Sequence, residues 1–372
     1  MNEDSNQTPT QPLIQQPAAQ IPPSVNKPPT PATATATKLP YKMPPLYWDD
    51  TQNCLNDIEK KLGGPVISFY TTESIVGDDV KYFYTNLKDI GFKDKLFFIL
   101  VSYGGDGKSA FRIASLLKNY CSELIIVIPE VAASAATMLS LAGDKIIMTP
   151  LAYLTAVDTS ITHPLNPKGR DNQPVSVELE EVKRAVEVLM KNTSEEKDKL
   201  DIYKTIFSYI HPVSFGALER TSTLSEMLCQ DIISLRKNTL EQEKAAELIE
   251  NLNHKYPAHG YPITRRKAKL LGLPIEDSDE ELNNMLWRLQ NTNRVLTTQT
   301  RTDINDSFFH TEKLLNSIES VGRRITCRRS MERRLDPIIK GWTTLKEDYF
   351  WEALTETEDN GKKKLKISSL EV

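Results

Sequence analysis

The sequence predicts an α/β fold, a stack of βαβ units followed by a largely helical second half, and three observations carry that reading. Short apolar runs rich in β-branched and aromatic residues alternate with helical patterns from about residue 41 to Pro150. With 372 residues the chain is long enough for two domains, or for one large domain with appendages. Its 39% hydrophobic and 26% charged residues exclude collagen-like, fully disordered and coiled-coil-only architectures.

The elements follow in order. Nine of the 22 prolines lie in residues 1–40, a stretch with no aromatic residue, which predicts a disordered tail because it cannot bury enough apolar surface to offset its ordering entropy. Folded structure is expected to begin at Tyr41 to Trp48. Val66–Tyr70, Leu96–Val101, Leu124–Ile128 and Lys145–Met148 read as strands. Asp78–Ile90, Lys108–Asn119 and Ala133–Ala142 read as helices, with Ala110, Ile113, Ala114 and Leu117 on one face of the second. Alternation of this kind requires crossovers, so a mostly parallel sheet with right-handed βαβ units is expected.

His163 to Pro174 is a polar, proline-containing loop. Beyond it Ser176 can cap a helix bearing Leu179, Val182, Val186 and Leu189, and helical patterns continue through Leu240–Leu252. Tyr256–Pro262 breaks the pattern; Thr264 then caps a short helix that stops at Gly272. The spacings Leu282, Leu286, Leu289 and Leu314, Ile318, Val321, Ile325 predict a helical extension. The resulting divisions are a tail at 1–40, a main domain at 41–274 (α/β to about 160, mainly helical after 175), a helical extension at 275–345 and a charged tail at 346–372.

Charge and cysteine usage narrow the function. A formal net charge of -4 gives no reason to expect nucleic acid or an anionic membrane as the main partner. Arg323-Arg324, Arg328-Arg329 and Arg333-Arg334 make a basic helical stretch and Arg265-Arg266-Lys267 another short run, both without interleaved aromatics and read as a solvated face or an oligomer contact. No apolar run approaches the roughly 20 residues of a membrane-spanning helix. The N-terminus has neither the cationic start nor the apolar stretch of a secretory signal, so a cytoplasmic location is expected. Cys54, Cys121, Cys229 and Cys327 are scattered and read as reduced thiols. No metal or organic cofactor is expected.

Two segments carry candidate chemistry. In Leu96–Ser109 a strand runs into glycines at 104, 105 and 107 and then a helix start, a turn whose amides can point at negative charge. It serves a phosphate loop, an oxyanion hole, or neither, as a tight turn. Gly107-Lys108-Ser109 matches the end of a phosphate loop, but Ser102 stands where that motif needs its first glycine. In Val127–Gly143 a strand turns through Pro129 into an alanine-crowded helix with Ser134 near its N-terminus. Ser134 is therefore either a nucleophile, with the following amide as an oxyanion donor, or a helix cap.

These segments resemble the ClpP/crotonase superfamily of serine peptidases, and among them the serine dehydrogenase proteinase group, related to signal peptide peptidase A. Tyr103-Gly104-Gly105 is similar to the superfamily's Pro-Gly-Gly turn, and Ala133-Ser134-Ala135-Ala136-Thr137 to its Ala-Ser-x-Gly motif. Leu141–Pro150 followed by Val157-Asp158 resembles the strand and turn after the active-site helix. His211–Gly216 and Tyr256–Ile263, with Ala268 to Leu273, resemble the group's C-terminal signature. The likeness covers Leu62 to Pro274. Tyr103 departs from the usual proline, and Ala136 stands where glycine is common.

The resemblance implies a ClpP/crotonase-type fold and peptide-bond hydrolysis by Ser134. The oxyanion hole would be drawn from Gly104, Gly105 and Ala135, and the substrate would be a peptide or protein. It also implies a homo-oligomer, with an ATP-dependent unfoldase as a partner to test for. His163, 29 residues after Ser134, and Lys168 in the same loop are alternative bases, the lysine only if burial holds it neutral. Asp158 and Asp171 are read as turn residues able to orient a histidine. His259 is read as orienting its own turn, His211 as a helix-break residue, and His254 and His310 as ordinary surface or packing residues. A phosphate-loop nucleotide binder using Gly107-Lys108-Ser109 and a noncatalytic oligomeric scaffold are the competing functions.

Overall fold

Continuous apolar strands need cover on both faces, and they receive it. The computed structural model describes residues 41–157, 160–161, 164–169, 173–175, 177–191, 196–238, 240–359 and 362–370. The expected tail at 1–40 lies outside them. The first elements are α1 (Trp48–Leu62), β1 (Val66–Thr71), α2 (Gly77–Ile90), β2 (Lys93–Val101), α3 (Gly107–Asn119), β3 (Cys121–Ile128), β4 (Val131–Ala132), α4 (Ala135–Ser140) and β5 (Lys145–Met148). Strand pairs β1 with β2, β2 with β3, and β3 with β5 are all parallel, as the alternation predicts.

Side-chain alternation along these strands sorts the core into two layers. Leu96, Phe98 and Leu100 of β2 and Leu124, Ile126 and Ile128 of β3 pack with α2 and α3, including all four α3 residues expected on one face. Phe97, Ile99, Ile125 and Val127 point to the opposite layer. There they meet Leu55 and Ile58 of α1 and, from far along the chain, Leu282, Leu286 and Leu289.

After β5 come β6 (Tyr153–Leu154), β7 (Ser160–Ile161), β8 (Val177–Glu178), α5 (Leu179–Met190), α6 (Glu196–Tyr209), α7 (Pro212–Ser234), α8 (Gln242–Glu250) and a π-helical turn at Asn251–Lys255. Then follow β9 (Ile263–Thr264), α9 (Arg265–Leu270), β10 (Ile275–Asp277) and α10 (Glu280–Leu296). Pro212 opens α7 at a position where its missing N–H costs nothing. From α5 to α10 most of the described residues are helical.

The helical extension at 275–345 is a misreading. Only α10 is helical there. It is followed by β11 (Thr300–Asn305), β12 (Phe308–Leu314), β13 (Asn316–Ser320), β14 (Arg323–Asp336), β15 (Gly341–Asp359) and β16 (Lys362–Leu370). These strands also take in most of the expected charged tail at 346–372. β13 pairs antiparallel with β1, joining the C-terminal strands to the parallel sheet. The three- and four-residue spacing of Leu314, Ile318, Val321 and Ile325 spans three strands, β12, β13 and β14, and the turn at Gly322, so it reports no helix face. Charged residues blur the alternation because several are paired inside the sheet. Arg324 is fully buried against Glu319 at 2.9 Å, and Arg328 bridges Glu312 at 2.7 Å and Glu352 at 2.8 Å. The arginine run is thus part of a strand and not a basic helix.

Among the described residues no helix is long and apolar enough to cross a membrane. All four cysteines are buried free thiols.

Candidate active site

β2 ends at Val101, and the next residues form the first wall of the site. Gly104 and Gly105 have φ of +106° and +141°, open to glycine and strained for other residues. Space excludes side chains as firmly. A Cβ on Gly104 would lie 2.7 Å from the Ala133 carbonyl oxygen and 2.8 Å from Ser134 Cβ, and one on Gly105 would lie 2.3 Å from the Ile75 nitrogen. The glycine turn is therefore wedged between the Ile75 segment and the Ser134 turn. Ile75 N–H donates to the Gly104 carbonyl at 2.7 Å, and Asp106 N–H donates to the Ile75 carbonyl at 2.9 Å.

Ser134 sits between β4 and α4 with φ 53° and ψ -119°, a conformation an L-residue keeps only when its surroundings enforce it. The enforcement is visible. Its N–H donates to the Thr155 hydroxyl at 2.9 Å, its carbonyl accepts from Met138 N–H at 3.0 Å, and the strand before it is held by Ser102, whose N–H donates to the Val131 carbonyl at 3.1 Å and whose carbonyl accepts from Ala133 N–H at 3.0 Å. Thr155 is fixed in turn by its N–H bond to the Thr137 hydroxyl at 3.2 Å. The Ser134 side chain makes no capping hydrogen bond to α4, so the helix-cap reading fails. A serine held on a strained strand-to-helix turn, with its hydroxyl left out of the capping pattern, has the geometry of an exposed nucleophile.

The amides around it divide clearly. Gly104 N–H donates to Ser102 Oγ at 3.0 Å, so it is not available to a ligand; Gly104 supplies room instead. The Gly105 and Ala135 amides have no acceptor among the described residues. Ala135 is almost completely buried, and a Cβ on Gly104 would lie 3.1 Å from its nitrogen, so the absence of a side chain at 104 leaves the space in front of that amide.

The phosphate-loop alternative loses its binding place. Asp106 caps α3, accepting from Ser109 N–H at 3.0 Å and from the Ser109 hydroxyl at 2.6 Å. A carboxylate thus occupies the helix start where a phosphate would have to sit, and the serine that would hold a magnesium ion is committed to it.

Ser134, Ala135 and Gly105 open on a cavity of about 1030 Å³ whose far wall is α7, with Leu224, Met227 and Leu228. Exposed Lys108 and Arg220 add positive charge to its lining. Of the two bases expected from sequence, His163 lies outside the described residues, as do Asp158 and Asp171. Lys168 is exposed, forms a bridge with Pro174, and does not line the cavity. The burial that a serine–lysine pair requires is missing there. His259, read from sequence as a structural turn residue, does line the cavity and is half-buried. The two-residue pairing that carries its turn to the site, β6 with β9, is too short to leave a sequence pattern.

No protein-family model matches the chain. It is similar to two uncharacterized proteins of Methanocaldococcus jannaschii. MJ0137 is 30% identical over 190 residues, 51% of this chain and 56% of that protein. MJ1495 is 26% identical over 177 residues, 48% of this chain and 50% of that protein. The chain therefore spans about half the length of the curated relatives it matches.

Among solved structures, a membrane-bound stomatin-specific protease (1510-N) aligns at 17% identity and a TM-score of 0.32, covering 58% of this chain and 79% of that one. ClpP1 from Listeria monocytogenes aligns at 13% identity and a TM-score of 0.33, covering 62% and 98%.

Proposed function

We propose that the chain is a serine peptidase that hydrolyses peptide bonds through an acyl-enzyme on Ser134. The observation that carries this reading is the conformation of Ser134 at φ 53°, with its hydroxyl outside the helix cap and, beside it, two amides that meet no acceptor among the described residues. The Ser134 oxygen attacks a carbonyl carbon, and the Gly105 and Ala135 N–H groups receive the developing oxyanion. Preorganised donors of this kind contribute about 10²–10³-fold each to rate. The sequence resemblance to ClpP/crotonase peptidases supports a peptide substrate.

Labelling with a fluorophosphonate probe tests the proposal. Wild type should be labelled on Ser134 and Ser134→Ala should not. Equal labelling of the variant eliminates Ser134 as nucleophile, and no labelling of either protein leaves the noncatalytic scaffold as the reading.

A further inference from the structure

We infer that His259 is the proton acceptor for Ser134, a role that rests on the nucleophile reading above. The cavity beside Ser134 is lined by few described side chains able to take a proton. Asp106 is committed to two hydrogen bonds from Ser109, while Lys108 and Arg220 are exposed cations. Ser225 is buried, with its Oγ 2.7 Å from Asn253 Oδ1 and 3.1 Å from the Val157 carbonyl. His259 supplies the one imidazole among the described lining residues.

The turn carrying His259 is held more firmly than a surface loop needs. On its C-terminal side, β9 pairs with β6 in the register Leu154 to Ile263 and Tyr153 to Thr264. The residue after β6 is Thr155, whose hydroxyl accepts the Ser134 N–H, so one short pairing places both the nucleophile and the imidazole turn. On its N-terminal side, Val157 N–H donates to the Leu252 carbonyl at 3.0 Å, and His254 meets Glu226 of α7 at 2.9 Å. Across the turn, Tyr256 and Tyr261 stack with ring centroids 4.8 Å apart, and the Lys267 ammonium lies over both rings, at 4.7 and 4.4 Å. Lys267 also donates to the Tyr261 hydroxyl at 3.0 Å, and Tyr261 N–H closes the turn on the Ala258 carbonyl at 3.0 Å. A catalytic base needs a fixed position more than it needs a particular neighbour in sequence.

In the step assigned to it, a ring nitrogen of His259 takes the Ser134 hydroxyl proton as the Oγ–C bond forms. The carbonyl electron pair moves onto the oxygen facing Gly105 and Ala135. Collapse then breaks the C–N bond, and the imidazolium returns the proton to the leaving amine. Water repeats the sequence to release the acid and regenerate Ser134.

The test uses the full chain and measures the rate of fluorophosphonate labelling from pH 5 to 9. His259→Ala should lower the rate at least about 100-fold, and added imidazole should restore part of it to this variant but none to Ser134→Ala. His163→Ala, at the base the resemblance implies, is the comparison: a loss of labelling there that imidazole restores, with none in His259→Ala, overturns the assignment. A second measurement needs no variant: diethyl pyrocarbonate should modify His259 in the free protein and not after the probe has reacted. Wild-type rate and pH profile in His259→Ala, or equal modification before and after labelling, overturns the assignment while leaving Ser134 as nucleophile. Labelling of Ser134→Ala at the wild-type rate overturns the nucleophile reading instead.

Discussion

The Ser134 amide donates to the Thr155 hydroxyl at 2.9 Å, and this bond ties the strained turn to the segment leaving β6. Thr155 is buried, its own N–H bonds to the Thr137 hydroxyl, and that hydroxyl lies 2.7 Å from the Ala132 carbonyl. The three residues form a closed brace around Ser134. Removing the acceptor leaves a buried N–H unpaired, which costs about 1–3 kcal/mol, and frees the turn to relax. Thr155→Ala should therefore lose about 1–3 kcal/mol in urea denaturation and label with fluorophosphonate at least about tenfold more slowly. Thr155→Ser, which keeps the acceptor, should stay close to wild type in both measurements.

Glycine substitutions should separate local congestion from ordinary helix propensity. Gly104→Ala drives a methyl group into the Ala133 carbonyl and Ser134 Cβ at a φ of +106°. Displacement of Ser134 should abolish labelling, with a stability loss of about 1–3 kcal/mol. Gly216 lies inside α7, and nothing within 4 Å would meet a Cβ there. Gly216→Ala should stabilise the protein by about 0.5–1 kcal/mol and leave labelling unchanged. A matched pair of thermal melts checks both expectations.

Asp79 makes stability depend on pH. Its buried carboxyl accepts from Val76 N–H at 2.8 Å and from the Asn316 side chain at 2.9 Å, yet burial outweighs these bonds and pushes its pKa up to about 7 from 3.8. The folded state therefore holds a proton between those values that the unfolded state has lost. Stability contributed by this group is full below about pH 4 and declines as pH rises through 7, by an amount on the order of 4 kcal/mol at most. Above that range the contribution is flat. Urea denaturation across pH 4–8 should show the decline in wild type and a much smaller slope in Asp79→Asn.

The parallel half of the fold is legible in the sequence because strands covered on both faces must be apolar throughout. Leu96–Val101 and Leu124–Ile128 have no alternation to obscure, and their helices carry regular apolar faces. The Ser134 turn is legible for a related reason: Gly104 and Gly105 are demanded by close backbone approach, and the small buried alanines around Ser134 add to the compositional mark. The C-terminal strands are not legible, because Arg324, Glu319, Glu312 and Arg328 put charge where an alternating pattern would place apolar side chains. Their pairing partners lie on other strands, and a linear reading sees only a run of charges. His259 escapes for another reason. Its approach to the site depends on a pairing between strands of two residues each, separated by more than a hundred positions, and so short a contact imposes no periodicity on either.

Asp106 decides whether the glycine turn can hold a nucleotide. Its carboxylate caps α3 through the Ser109 N–H and hydroxyl, so a phosphate approaching the same amides meets negative charge. Millimolar ATP with magnesium should produce no thermal shift in wild type or in Lys108→Ala. Asp106→Ala should lose about 1 kcal/mol, as expected for a helix cap. A saturable shift in wild type that Lys108→Ala abolishes would return the phosphate-loop reading.

The buried ion pair of Arg324 and Glu319 should show how the C-terminal strands are fastened to α1. Arg324 Nε donates to Glu319 at 2.9 Å, and a second guanidinium nitrogen donates to the Leu46 carbonyl at 2.6 Å. Glu319 also accepts from the Thr51 hydroxyl at 2.6 Å and from Gln52 at 2.7 Å, both on α1. Replacing arginine alone strands a carboxylate in a site from which water is excluded, whereas replacing both charges removes the desolvation cost along with the attraction. Arg324→Met should therefore destabilise by about 3–5 kcal/mol, and Arg324→Met with Glu319→Gln should recover a substantial part of that loss. A double-mutant cycle in urea measures the difference. If the double variant is as unstable as the sum of the two single variants, the pair is not coupled, and the strands are held to α1 by apolar packing alone.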